Sequence, residues 1–348
     1  MKMNYWIVEN DVDINKSCPQ IVEASQFLKD NEVVAFPTET VYGLGANAKS
    51  DEAVDKIFAA KGRPSDNPLI VHISNKQQLN ELVKEIPEAA QTFMDQFWPG
   101  PLTIIFNKKE GVLSEKVTAG LDSVGIRMPD HPVALALIEA ANLPIAAPSA
   151  NVSGRPSPTT AHHVTQDLDG KISGIINGGE TGVGVESTVV DCTSEIPVIL
   201  RPGGVTREQL EEAAGPVLMD PSLAKGEGAP KSPGMKYTHY APDAPLILFE
   251  GKREWIQSLI DEKRRGGMKV GVLTTEENKD FYNADKILVC GSRSDLSTVA
   301  HSLYDVLRSF NGSDVEIIFS ETFPNEGVGV AIMNRLQKAA GYNYIKED

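Results

Sequence analysis

The chain has 348 residues, 41% of them hydrophobic and 23% charged, with 29 Gly and 22 Pro. At roughly 150 residues per domain this predicts two domains, each able to bury its own core, and excludes a small disulfide-stapled scaffold, a disordered chain or a fibre. The formal charge is −15, with 17 cations against 29 acids up to Gly215 and 16 against 19 beyond it, so neither part has the basic surface of a nucleic-acid platform. No run approaches the roughly 20 apolar residues of a membrane span. The start, Met1 to Trp6, soon meets Glu9, Asp11 and Asp13, so neither a signal peptide nor an anchor is expected. Cys18, Cys192 and Cys290 lie far apart and odd in number, which fits a reducing cytoplasm better than a disulfide framework or a zinc site.

In chain order, periodicity predicts a helix over residues 19–28, with Pro19 in its first turn. Short apolar, β-rich runs at 33–36, 69–73, 102–106, 124–128, 187–190 and 198–200 read as strands of one sheet. Between them lie helical patterns at 50–60, with Ser50 as N-cap and an acidic first turn, at 87–97 and at 132–141. Thr206-x-x-Gln209 is a capping-box signature. Residues 216–244 are rich in Pro and Gly, show little periodicity and read as a linker. Beyond Pro245, strands at 246–249, 270–273, 287–289 and 315–319 alternate with helices at 252–264, 295–310 and 328–340, the pattern of a small parallel α/β layer structure.

Several segments carry chemistry. Gly43-Leu44-Gly45-Ala46-Asn47-Ala48 formally matches the dinucleotide fingerprint, yet it stands six residues past its strand and opens no helix, which argues against a Rossmann cofactor site. Lys61-Gly62-Arg63-Pro64 sits where a helix ends and offers an ammonium and a guanidinium fork to a polyphosphate. Lys61 equally complements the helix dipole there, with Arg63 solvated. Ser149-Ala150-Asn151 follows an apolar run; its two polar side chains share a face if the chain stays extended, and the same residue types also serve turns. Gly178, Gly179, Gly182 and Gly184 precede another strand, and so many glycines rarely serve packing. Arg201-Pro202-Gly203-Gly204 places a third cation at a strand end, so Lys61, Arg63 and Arg201 together suit an ATP-like ligand. His72 and Arg127 lie inside strands, as satisfied core groups or as substrate contacts. The six histidines, His162, His163 and His239 among them, show no metal-ligand spacing, and no G-x-S-x-G elbow occurs.

Pro37-Thr38-Glu39-Thr40-Val41-Tyr42-Gly43-Leu44, Lys61-x-Arg63-Pro64, Asn67-Pro68-Leu69, Ser149-Ala150-Asn151, Ser187-Thr188 and Arg201-Pro202-Gly203 resemble, in the same order, the signatures of the YrdC-like threonylcarbamoyl-AMP synthase family. The stretch from Ser232 to Pro242 is similar to the joining segment of its longer, two-domain members. Arg63-Pro64-Ser65-Asp66 departs from the Arg-Ser-Thr order of some short members.

The resemblance implies an α/β fold: a twisted open sheet with a concave ligand-binding face over residues 1–215, a linker and active-site lid over 216–244, and a smaller Rossmann-like α/β domain of unassigned role over 245–348. It implies an enzyme that condenses L-threonine, bicarbonate or CO2, and ATP to threonylcarbamoyl-AMP and pyrophosphate, for modification of a tRNA adenosine beside the anticodon. Lys61, Arg63, Ser149 and Asn151 are then the catalytic set. Asn67, Thr118, Arg201 and Tyr240 join them around ATP, while Thr38, His72, Arg127 and Ser187 line the threonine pocket. Mg2+ is expected with ATP rather than in a protein cage. A downstream tRNA-modifying transferase complex is the expected partner, with no stable nucleic-acid or membrane binding and a cytoplasmic location. The rival readings are a double-stranded RNA-binding module, which the acidic charge disfavours, and an enzyme making carbamoyl-AMP from carbamoyl phosphate.

Overall fold

A computed structural model describes residues 3–8, 14–225 and 239–347. They divide into two compact units: Met1–Ser153, Ser157–Gly182 and Glu186–Lys236 form the first, and Gly154–Pro156, Val183–Val185 and Tyr237–Asp348 the second.

The first unit begins with β1 (Asn4–Ile7), α1 (Pro19–Lys29), β2 (Val34–Phe36), β3 (Gly43–Asn47), α2 (Asp51–Lys61), β4 (Val71–His72) and α3 (Lys76–Leu82). It continues through α4 (Glu88–Phe97), β5 (Leu102–Asn107), α5 (Glu115–Thr118), β6 (Ser123–Arg127), α6 (Pro132–Ala141), β7 (Ile145–Ala146) and α7 (Ala161–Leu168). The last elements are β8 (Gly174–Asn177), β9 (Thr188–Asp191), β10 (Val198–Arg201), α8 (Arg207–Ala214), β11 (Leu218–Met219) and α9 (Ser222–Lys225). The strands make one mixed sheet in the order β1, β8, β2, β3, β7, β4, β6, β5, β9, β10, β11.

Local chemistry sets the helix ends. Ser50 accepts the Ala53 N–H at the start of α2, and Gly62 ends that helix in the left-handed region at φ 61°. Thr206 and Gln209 close the foreseen capping box of α8.

Alternation along the strands decides which face carries function. Leu102, Ile104 and Phe106 of β5 and Val124 and Ile126 of β6 join one large core with Ile57 of α2 and Phe93 of α4. On the opposite face, β2 and β7 send Val34, Phe36 and Ile145 into a second core with α1 and α6. Thr103, Gly125 and Arg127 alternate with the first-core residues and therefore face away from that core. A small cluster of Ile70, Ile105, Val189 and Leu200 accompanies them there.

The structure corrects several expectations. Gly43–Asn47, to which the sequence reading assigned no element, is a strand paired antiparallel to β2. The run at 69–73 contributes only Val71–His72 to the ladder. The linker reading of 216–244 fails at its start, where β11 pairs with β10 and α9 follows. The lid motif from Ser232 through Thr238 lies outside the described residues. Gly178 and Gly184 do serve packing, because a Cβ on Gly178 would meet Pro37 at 2.8 Å and one on Gly184 would meet the His301 backbone at 2.4 Å. Ser149 and Asn151 are taken up below.

The second unit holds β12 (Leu246–Glu250), α10 (Arg253–Arg265), β13 (Val270–Thr274), β14 (Lys286–Val289), α11 (Leu296–Ser309), β15 (Ile317–Glu321), α12 (Gly329–Ala339) and β16 (Tyr344–Lys346). Its sheet, ordered β14, β13, β15, β12, β16, is parallel throughout, as the alternating pattern predicts. The short, exposed edge strand β16 gave no apolar signal in the sequence.

Gly45 tests the close approach of β3 to the second core. A Cβ there would lie 2.7 Å from Phe36 and 2.9 Å from Ile145. Gly45→Ala is expected to lose about 1–3 kcal/mol of stability by overpacking, read as a lower urea midpoint at unchanged m-value.

Candidate active site

Lys61 is the last residue of α2 and is buried. Its Nζ donates to the main-chain oxygens of Ser149 and of Asn151, the latter at 2.6 Å. The chain after β7 brings those carbonyls there by running beside β3: Leu44 N–H donates to Pro148 O and Ala150 N–H to Tyr42 O, each at 2.8 Å. The extended run bends at Ala150 and Asn151, so Ser149 and Asn151 do not present one strand face; their carbonyls converge instead on the ammonium.

Arg63, half-buried, donates to Asn67 O at 3.0 Å, and its guanidinium lies 5.9 Å from the Phe58 ring centroid. Leu69 N–H donates to Val117 O, which sets Thr118 beside the buried Asn67-Pro68 segment. The Thr118 hydroxyl accepts from Lys108 Nζ at 3.0 Å, and that buried ammonium also grips the Glu115 carboxylate.

Arg127 ends β6 and is almost fully buried. Its Nε donates to Gly100 O at 3.3 Å and its Nη1 to Thr40 Oγ1 at 2.9 Å. Its Nη2 stands 2.6 Å from Glu39 Oε1, an ion pair without hydrogen-bond alignment. The Thr40 hydroxyl lies 2.9 Å from that of Thr38, which donates onward to Val41 O at 2.7 Å and accepts the Thr40 and Val41 N–H groups.

Arg201 ends β10; its Nε donates to Ser187 O and its Nη2 to Ser187 Oγ, both at 3.1 Å. Ser187 Oγ in turn lies 2.8 Å from Thr103 Oγ1. A Cβ on Gly203 would sit 2.3 Å from Glu186 O and Thr188 N, so glycine is what lets residues 201–204 run against this strand start. The Arg127 and Arg201 clusters share residues 100–103, since Gly100 N–H donates to Met128 O and Thr188 N–H to Pro101 O.

His72 of β4 is in register with Arg127 on one side and Ile145 on the other, with its ring edge-on to Phe36. Burial, then the Arg127 charge, drives its pKa down to about 3, so the ring is neutral at pH 7. His131 caps α6 by accepting the Val133 N–H, and burial lowers its pKa to about 4 against an opposing pull from Glu39.

The contacts thus join Lys61 with Ser149 and Asn151, Arg63 with Asn67, Thr38 through Thr40 with Arg127, which is the ladder neighbour of His72, and Arg201 with Ser187. Tyr240 belongs to the second unit, where its ring centroid is 5.1 Å from that of Tyr304. Sequence reasoning missed Glu39, Thr40, Thr103 and Lys108 as partners of these residues. The first two stand in the loop that follows a fully buried strand, where polar residues read as solvated. Among the described residues, no group of three or more His, Cys, Asp or Glu could hold a metal ion, and no helix is long and apolar enough to cross a membrane.

The family profile described as "Telomere recombination", for Sua5, YciO and YrdC, matches residues 26–203, and one described as "Threonylcarbamoyl-AMP synthase, C-terminal domain" matches residues 205–341. The threonylcarbamoyl-AMP synthase of Bacillus subtilis (strain 168) is 59% identical over 99% of this chain and 100% of its own. The chain belongs to the threonylcarbamoyl-AMP synthase family, in its two-domain form. The enzyme of that name from Pyrococcus abyssi is 49% identical over 93% of this chain and 94% of its own. The crystal structure of P. abyssi Sua5 complexed with L-threonine superposes with a TM-score of 0.93 at 46% identity, covering 99% of both chains. E. coli YciO, 22% identical with a TM-score of 0.52 over 58% of this chain and 96% of its own, shares the fold of the synthase part. As a member of this family the chain is a nucleotidyltransferase-type enzyme that makes an AMP-linked intermediate for tRNA modification.

His72 and His131 give the fold a pH dependence of definite sign. Their folded-state pKa values lie below the ordinary 6.5, so between about pH 6.5 and 4 the unfolded chain binds more protons and stability falls as pH falls. Each ring contributes up to about 1.4 kcal/mol per pH unit there. His131→Asn keeps a capping oxygen but cannot titrate, and should flatten the slope of unfolding free energy against pH in this window by about one proton. Parallel curves for the two proteins would rule out His131 as a contributor.

Proposed function

We propose that the loops gathered around Lys61, Arg127 and Arg201 bind ATP and L-threonine side by side and condense them with bicarbonate or CO2 into threonylcarbamoyl-AMP. The observation that carries this reading is the burial of three cations at helix and strand ends, each met by loop oxygens, on a chain whose relatives bear that enzyme's name. Support for the threonine side comes from the P. abyssi relative, solved in complex with L-threonine.

Lys61 and Arg63 meet the phosphates, Ser149 and Asn151 orient phosphate or carbamate oxygens, and Arg201 adds charge on the nucleotide side. Asn67 and Thr118 complete the nucleotide contacts within the first unit. Thr38, His72, Arg127 and Ser187 line the amino-acid side, with Arg127 toward the carboxylate and the neutral His72 ring offering an uncharged edge. The threonine amine captures CO2 as a carbamate. A carbamate oxygen then attacks the α-phosphorus in line, the bond to the leaving pyrophosphate breaks, and the adenylate remains. Catalysis here is positioning and charge stabilisation. Mg2+ would come with ATP as part of that substrate and would offset phosphate charge. The product passes to a tRNA-modifying transferase in the cytoplasm.

Pyrophosphate release from ATP and bicarbonate, with each amino acid in turn, should be selective for threonine and give a product of threonylcarbamoyl-AMP mass. Release driven by carbamoyl phosphate instead would replace this reading. Lys61→Ala should lower turnover by about 100-fold. Because two buried carbonyls lose their donor, it should also lower the melting temperature, whereas the more exposed Arg63→Ala should lower turnover at nearly unchanged melting temperature.

A further inference from the structure

We propose that Glu39 is a positioning residue that fixes Arg127 for the carboxylate of the amino-acid substrate. The inference rests on the reading that places threonine at Arg127.

Glu39 stands in the turn between β2 and β3, and its carboxylate returns to the end of β6. Its side chain is 13% exposed and that of Arg127 5%, so the pair sits largely out of water at 2.6 Å. Neither Glu39 oxygen has a hydrogen-bond donor. A buried carboxylate without donors is costly unless a cation offsets it, and Arg127 is the cation in contact. The place of each charge is therefore set by the other.

Gly100 O, Thr40 Oγ1 and Glu39 hold three different nitrogens of the guanidinium, which fixes its plane. Nη2 is buried against Glu39, so the N–H that the Thr40 contact leaves on Nη1 is the donor for a substrate carboxylate. Two of the three holds, Thr40 and Glu39, come from the same turn, so the turn and the guanidinium are set together.

A different role for Glu39 predicts the opposite sign. If it merely cancelled the Arg127 charge, it would compete with a substrate carboxylate, and removing it would tighten binding. As a positioning residue, its removal loosens the fork and weakens binding.

The test is calorimetric titration of L-threonine and of L-threoninol, which lacks the carboxylate, into the full-length protein and its variants. Glu39→Ala should weaken threonine by about tenfold and leave threoninol unchanged, and Glu39→Gln, with a neutral acceptor of the same shape, should restore most of the loss. Equal weakening of both ligands, or tighter threonine binding, would overturn the proposal. Arg127→Gln separates the two levels of the argument. If it weakens threonine but not threoninol while Glu39→Ala does neither, the proposal alone falls. If Arg127→Gln also leaves both unchanged, the threonine reading falls with it. Should Glu39→Ala not fold, Glu39→Asp, which draws the charge back by one methylene, carries the same comparison.

Discussion

A lysine or arginine taken out of water must be met by oxygen, and Lys61, Arg127 and Arg201 are each buried where a helix or strand ends. The loops of the first unit are shaped by that demand. Residues 37–42 supply the Thr40 hydroxyl and the Glu39 carboxylate to Arg127, residues 148–151 turn two carbonyls onto Lys61, and the start of β9 gives Arg201 both the carbonyl and the hydroxyl of Ser187. Loops ordered in this way hold the cations in place, which is what the proposed reaction, working by positioning, requires.

The sheet supplies the cations at the right places. Because side chains alternate along a strand, Arg127 can end a strand whose Val124 and Ile126 are core while its own guanidinium leaves the core face. Gly125 and Thr103 keep that face small: a Cβ on Gly125 would already approach the Thr103 methyl at 3.2 Å. Small residues beside the cations leave room for loops to fold back, and Gly203 lets the β10 end run against the backbone of 186–188.

What was legible in the sequence follows from how local each cause is. Ser50 and Thr206 declare their helices because a cap is read within four residues, and runs such as 102–106 declare strands because one face of each is core. β3 was hidden because Gly43 and Gly45 weaken strand preference; it forms by pairing with β2 and β7, and Gly45 is required there because Phe36 and Ile145 occupy the space a Cβ would need. β4 and β7 are two-residue pairings fixed by their neighbours rather than by their own pattern. Lys61 and Arg201 stood out as cations where a helix or strand ends, and Arg127 as a charge inside an apolar run. Glu39 did not, since an acid in a loop reads as solvated until the fold brings it to Arg127. Gly184 misled for the same reason, its close neighbour being a residue more than a hundred positions away.

Charge within the site follows the same logic. His72 lies next to Arg127 in the sheet and His131 near Glu39, and both imidazoles are held neutral by burial. A protonated His72 would place a second cation beside a buried guanidinium, so the burial that neutralises the ring also protects the Arg127–Glu39 balance. A fixed pair of opposite charges suits an amino acid, which is itself a zwitterion with a carboxylate and an ammonium on one carbon. In the function proposed above, Lys61 and Arg201, which carbonyl and hydroxyl oxygens help to hold, meet the opposite requirement: a nucleotide polyanion whose charge grows on the departing pyrophosphate.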